Sequence, residues 1–118
     1  MTKRLVFVGS SLDALRALPE VVKDDVGYAL WLAQNGQKHQ DAKPLRGFGS
    51  AGVLEFVESY QGDAYRAVYT IRYTEAVYVL HVFQKKSTRG IATPKQHVNL
   101  VEQRLKEVEE LRARENVR

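Results

Sequence analysis

Residues 65–84 read YRAVYTIRYTEAVYVLHVFQ. Two alternating runs rich in β-branched and aromatic residues flank a polar break at Thr74-Glu75. That pattern predicts two antiparallel strands, 65–73 and 76–84, joined by a two-residue turn. Pairing about this turn sets Tyr73 against Ala76, Tyr69 against Leu80 and Ala67 against Val82. One face then carries Ala67, Tyr69, Ile71 and Tyr73 with Ala76, Tyr78, Leu80 and Val82, apolar enough to pack on helices. The other carries Arg66, Val68, Thr70 and Arg72 opposite Phe83, His81, Val79 and Val77, and Lys85 shares its parity. A histidine and a lysine in the most apolar segment thus fall on the side the core does not need.

The flanking sequence extends this pair. A strand over 53–59 precedes it across Gln61-Gly62-Asp63, completes an antiparallel meander and adds Glu55 to the polar face. Downstream, Thr93 as N-cap, Pro94 at the first helical position and Gln96 form a capping box. Val98, Val101, Leu105, Val108 and Leu111 then make an apolar helical stripe, backed by the pairs Glu102–Lys106 and Glu110–Arg114. The tail beyond 111 is expected to fray. Upstream, 5–8 is a short strand, and Ser10 caps a short helix through Leu12, Leu15 and Leu18. Pro19 sits in the first turn of a second helix with Val22, Val26, Ala29, Leu30 and Ala33 at helical spacing, stopped by Asn35-Gly36. Residues 36–51 form a polar, glycine-containing connection. The expected order is β-α-α-β-β-β-α: an α+β fold, one domain over 1–118, with a mainly antiparallel twisted sheet packed against helices.

Composition narrows the chemistry. Hydrophobic residues are 44% and charged residues 27% of the 118, as in folded globular proteins. The absence of cysteine excludes disulfides and thiolate metal sites. No apolar run approaches the ~20 residues that span a bilayer, and 5–8 is too short for a secretory core; a cytoplasmic location is expected. The net charge is +4, with Lys85, Lys86 and Arg89 clustered and no acid between Glu75 and Glu102. Arginine and lysine suit phosphate oxygens and charge developing on a phosphorane, and histidine exchanges protons near neutrality. Phe83 offers a surface on which a base can stack. Arg46, in KPLRGFG, is placed to line a cleft from the long connection. His39 and His97 lie at spacings unsuited to a metal site and are expected at the surface; no metal or cofactor is implied. The chain lacks a P-loop, HExxH or GxSxG, which argues against nucleotide hydrolysis, zinc proteolysis and serine hydrolysis. For an enzyme, as opposed to a binding protein, metal-free phosphoryl transfer on RNA fits best, since the 2′-OH supplies a nucleophile within the substrate.

The segments GFGSAGVLEFVES, YRAVYTIRY, YVLHVFQKKS and ATPKQHVNLVEQRL, in that order, resemble the phage-derived HigB-like branch of the RelE/ParE toxin superfamily. The resemblance runs from about Leu5 to Leu111. It implies the toxin of a type II toxin–antitoxin pair, partnered by an antitoxin that commonly carries a helix-turn-helix domain. It also implies a ribosome-dependent mRNA interferase in which the 2′-OH attacks the adjacent phosphate. Arg66 matches the family's strand arginine, and Lys85 and Lys86 its basic residues at the end of the last strand. Arg46, Arg89 and Phe83 are the expected RNA contacts. Several relatives carry a tyrosine or histidine near the C-terminus, but LRARENVR has neither. Acid and base then fall to His81, Lys85 or Glu55, with Glu55 alternatively orienting Arg66, or to the ribosome. ParE-like relatives instead inhibit DNA gyrase without cutting RNA, and a non-toxic phage relative is a further alternative.

Overall fold

A five-stranded mixed sheet carries helices on both faces in the computed structural model, which describes residues 2–49, 52–85 and 93–116. In chain order the elements are β1 (Arg4–Phe7), α1 (Ser11–Arg16), α2 (Glu20–Gln34), β2 (Ala42–Pro44), β3 (Val53–Tyr60), β4 (Asp63–Thr70), β5 (Ala76–Lys85) and α3 (Lys95–Asn116). The strand order is β1-β5-β4-β3-β2; β1 runs parallel to β5 and every other pairing is antiparallel. The α+β class and the meander match expectation. β2 does not: three residues inside the polar connection pair with Leu54–Phe56. It is an edge strand, where the missing N–H of Pro44 leaves no ladder bond unmade.

Two apolar layers result. Val22, Val26, Ala29, Leu30 and Ala33 of α2 bury against Leu54, Phe56, Tyr65, Ala67 and Tyr69 of the sheet. Gly36, at φ 78, ends α2 in the left-handed conformation, and the Gln37 N–H closes the last turn on the Leu32 carbonyl at 2.8 Å. Val101, Leu105 and Val108 of α3 bury against Val53, Val68, Tyr78, Leu80 and Phe83 on the opposite face. The sheet side expected to be free of the core is therefore covered by a helix over much of its length. Tyr60 pairs with Asp63 across Gln61-Gly62, whose φ values of 51 and 88 are those of the tight turn that matches strand twist.

The β4–β5 register holds as expected from Ala64–Lys85 to Val68–His81 and then shifts. Tyr69 pairs with Val79, not Leu80, because a bulge adds one residue to β5. Beyond it the two faces exchange. Val77 and Val79 join the α2 core, whereas Tyr78 and Leu80 pack beneath α3, the reverse of the expected assignment. β4 also ends at Thr70, so 71–75 are a longer connection, not a two-residue turn. The Thr70 hydroxyl accepts the Tyr78 N–H at 3.1 Å where the ladder gives out.

The bulge is tied down from α3. Arg104 Nη1 donates to the carbonyl of Leu80 at 2.8 Å, and Nη2 donates to Ser10 Oγ at 3.2 Å. Its guanidinium lies over Gly9, where a Cβ would come within 2.9 Å of it. Arg104→Ala should therefore lower stability by about 2 kcal/mol in urea unfolding, the typical worth of a charge-assisted hydrogen bond; an unchanged midpoint would show that the bulge holds without it. Further along, Arg72 pairs with Glu109 at 3.2 Å, and Arg112 donates to Glu75 and lies 4.0 Å from the Tyr73 ring centroid. These contacts hold the C-terminal half of α3, which runs to Asn116, against the 71–75 connection and β5. The start of α3 differs from expectation. The Pro94 carbonyl accepts the N–H groups of His97 and Val98, so Pro94 and not Thr93 occupies the cap. Among the described residues, no helix is long and apolar enough to cross a membrane.

Candidate active site

Cross-strand rows bring the polar residues together. Glu55 faces Val68, which faces His81; Val57 faces Arg66, which faces Phe83; Ala64 faces Lys85. Because side chains alternate, Glu55, Arg66, His81, Phe83 and Lys85 share the α3 face, as expected from parity. Glu55 and Arg66 are diagonal neighbours, within reach of long side chains.

Arg66 is only 5% exposed and Glu55 13%. Arg66 Nη1 lies 3.1 Å from Glu55 Oε1 and donates to Thr93 Oγ1 at 3.3 Å. The Thr93 hydroxyl donates in turn to Glu55 Oε2 at 2.5 Å. Freed from capping, Thr93 thus pins the start of α3 to the ion pair. This three-way arrangement holds the guanidinium in one place, since a charge taken out of water needs its partners.

The second half of the site is aromatic. His81 Nε2 and His97 Nδ1 are 2.8 Å apart, a hydrogen bond with one imidazole donating to the other. The Phe83 ring stacks on both, with centroids 4.6 Å from His81 and 3.8 Å from His97. Phe83 is 7% exposed and belongs to the core beneath α3, so it supports the imidazoles from below instead of offering a face to a base. Burial pushes His81 down to about 4, helped by the nearby His97 and Arg104. His97 is lowered as well, first by partial burial and then by the positive charges of Arg66 and Lys85. Both rings are consequently neutral at pH 7, and each has one nitrogen that accepts.

His97, expected at the surface, is the residue that sequence reading missed. Its signal was present: the third residue of a helix opening with Thr93-Pro94 is fixed close to whatever that helix start docks on. Arg46 is exposed on the connection after β2. The Leu45 N–H beside it bonds to the carbonyl of Val53, the partner of Thr70, which places Arg46 near the last residue of β4, whereas Arg66 lies mid-strand. Lys86 and Arg89 lie outside the described residues. No group of three or more histidine, aspartate or glutamate side chains suited to a metal occurs among the described residues.

The family described as Phage derived protein Gp49-like (DUF891) matches residues 13–106. The chain belongs to it. The matched span takes in the positions of Glu55, Arg66, His81, Lys85 and His97. Among solved structures, the Gp49-like chain is similar to a doubly substituted form of the E. coli toxin RelE in the free state. Identity is 19% and the TM-score 0.58, over 92% of this chain and 99% of that one. It is also similar to the toxin–antitoxin complex RelBE2 from Mycobacterium tuberculosis, at 21% identity and a TM-score of 0.46, over 74% of this chain and 95% of that one. No curated protein sequence matches it. The likeness to RelE identifies the fold of the Gp49-like chain as that of the RelE toxins.

Proposed function

We propose that this Gp49-like protein, as a phage-derived HigB-like relative, is the toxin of a type II toxin–antitoxin pair. Its activity in this reading is ribosome-dependent cleavage of mRNA in the cytoplasm, without a metal, by attack of a 2′-OH on the adjacent phosphate. A cognate antitoxin with a helix-turn-helix domain is the partner that restrains it. The observation that carries the reading is the convergence of Arg66, Lys85 and two neutral imidazoles on one end of the sheet. Cations there neutralise the scissile phosphate and the charge that develops on it, and an imidazole lone pair accepts a proton. Lys86 and Arg89 continue the basic run of Lys85 and are assigned to the RNA backbone; Arg46, at a distance, is assigned to flanking RNA.

Brief induction in a bacterial host should arrest growth and produce codon-linked 5′ ends in primer extension on mRNA. Lys85→Ala combined with Lys86→Ala should relieve the arrest, with unfolding midpoint unchanged. A double variant that stays fully toxic would refute this assignment of the site. One feature favours a second reading, a non-enzymatic inhibitor of DNA gyrase: Arg66 is nearly inaccessible and already holds Glu55. DNA damage with intact mRNA would establish that reading instead.

A further inference from the structure

His97 stands apart from the strand residues on which RNA cleavage was expected to depend. It enters the site from the first turn of α3, while His81, its hydrogen-bond partner, comes from the middle of the sheet. The two differ in setting. His81 is the more deeply enclosed, lying between Phe83, His97 and the guanidinium of Arg104. His97 is the one within electrostatic reach of both Arg66 and Lys85, the groups assigned to the phosphate. A proton entering the pair therefore resides on His97, where solvent and a bound phosphate stabilise it, and not on His81, where burial and Arg104 oppose it.

We propose that His97 is the general base of the cleavage reaction, and that His81 is a positioning residue that accepts the His97 Nδ1–H and so leaves His97 Nε2 free as the proton acceptor. The proposal rests on the ribonuclease reading above. In the step it describes, His97 Nε2 takes the proton of the 2′-OH while the 2′-oxygen forms a bond to phosphorus. The bond from phosphorus to the 5′-oxygen breaks, that oxygen takes a proton from water, and a 2′,3′-cyclic phosphate and a 5′-hydroxyl result. Lys85 binds the non-bridging oxygens, and Arg66, enclosed by Glu55 and Thr93, adds its positive charge to the field behind them. The imidazolium formed on His97 keeps its Nδ1–H bonded to the neutral His81, as a base is oriented by a third group in other acid–base sites.

Every group facing His97 enters its titration: His81, Phe83 and Lys85 from β5, Arg66 from β4 with its Glu55 partner on β3, and Arg104 from α3 through His81. The cations hold His97 neutral in the free protein. The phosphate of bound RNA offsets them and restores basicity when substrate is in place.

The test uses the full chain on purified ribosomes programmed with a defined mRNA, in single-turnover cleavage from pH 5 to 8. His97→Gln should slow cleavage at saturation by about 100-fold or more, with little change in the protein concentration that half-saturates the rate. It should also flatten the acid limb of the profile. His81→Leu should slow cleavage at least ten-fold and shift that limb, while His81→Gln, whose amide oxygen can accept the Nδ1–H, should recover most of the loss. The proposal is overturned if His97→Gln cleaves near the wild-type rate, if its acid limb persists, or if His81→Gln is no better than His81→Leu. Those outcomes leave the ribonuclease reading intact as long as wild type cleaves; if wild type cuts no RNA on ribosomes, both fall together.

Discussion

Glu55→Ala should destabilise the protein by about 3–5 kcal/mol, the usual cost of stranding one member of a buried ion pair. The substitution removes a carboxylate 3.1 Å from a guanidinium that is 5% exposed, and takes away the acceptor of the Thr93 hydroxyl. Arg66 then loses the carboxylate that faces it in a low-dielectric site, and the start of α3 loses one of its anchors. Glu55→Gln, which keeps an acceptor of the same shape, should cost less. The combination of Glu55→Leu with Arg66→Met should restore much of the loss, because a buried pair replaced as a whole leaves no orphaned charge. Urea unfolding of the three variants measures this directly. A loss below about 1 kcal/mol for Glu55→Ala would mean that water or another group reaches Arg66 in the folded protein.

The second large effect is on pH. An unfolded histidine takes up its proton near 6.5, whereas folded His81 does so only near 4. Above pH 6.5 both states are neutral at this position and His81 contributes no slope. Between 6.5 and 4 the unfolded chain binds a proton that the native protein refuses, so stability falls as the pH drops through that window. Below 4 the two states converge. At 1.36 kcal/mol per unit the full loss is on the order of 3 kcal/mol, lessened by the part of the ring that water reaches. His97, lowered in the same direction, adds to it. Unfolding free energies of wild type and His81→Asn between pH 7 and 4 should diverge in slope, with the variant the flatter; parallel lines would show that His81 is protonated in the native protein.

Much of this architecture was legible in the chain itself. Alternation placed Glu55, Arg66, His81 and Lys85 on one face, and the helical stripe of Val98, Val101, Leu105 and Val108 announced α3. These signals are local, and burial enforces them residue by residue. The failures have a common physical origin in contacts between distant parts of the chain. The bulge at Leu80 carries no glycine and interrupts no alternation, so AVYVLHVF reads as an unbroken strand. Its extra residue is accommodated by Arg104, some twenty positions away on another element. β2 is three residues long with an exposed lysine and proline, and only its pairing with β3 makes it a strand. Thr93 does not cap α3 because its hydroxyl is taken up elsewhere, donating to Glu55 and accepting from Arg66 instead of from a backbone N–H. His97 looks like a surface histidine until the start of its helix is docked, and that docking runs through Thr93 to Glu55, 38 positions away in the chain.

Parallel pairing of β1 with β5 fixes an order of assembly. Arg4–Phe7 meets Ala76–Val79 across some seventy residues, whereas the meander from β3 to β5 closes through short connections. Loop-closure entropy favours the meander first, with β1 joining the sheet only after β5 is in place. The helix bearing His97 follows β5 in the chain and has nothing to dock on until the site face of the sheet exists. During synthesis, the Arg66–Glu55 pair can therefore form before the imidazole pair can. The charged pair is thus set into the sheet first, and Thr93 and His97 arrive last, as the cover that closes over it.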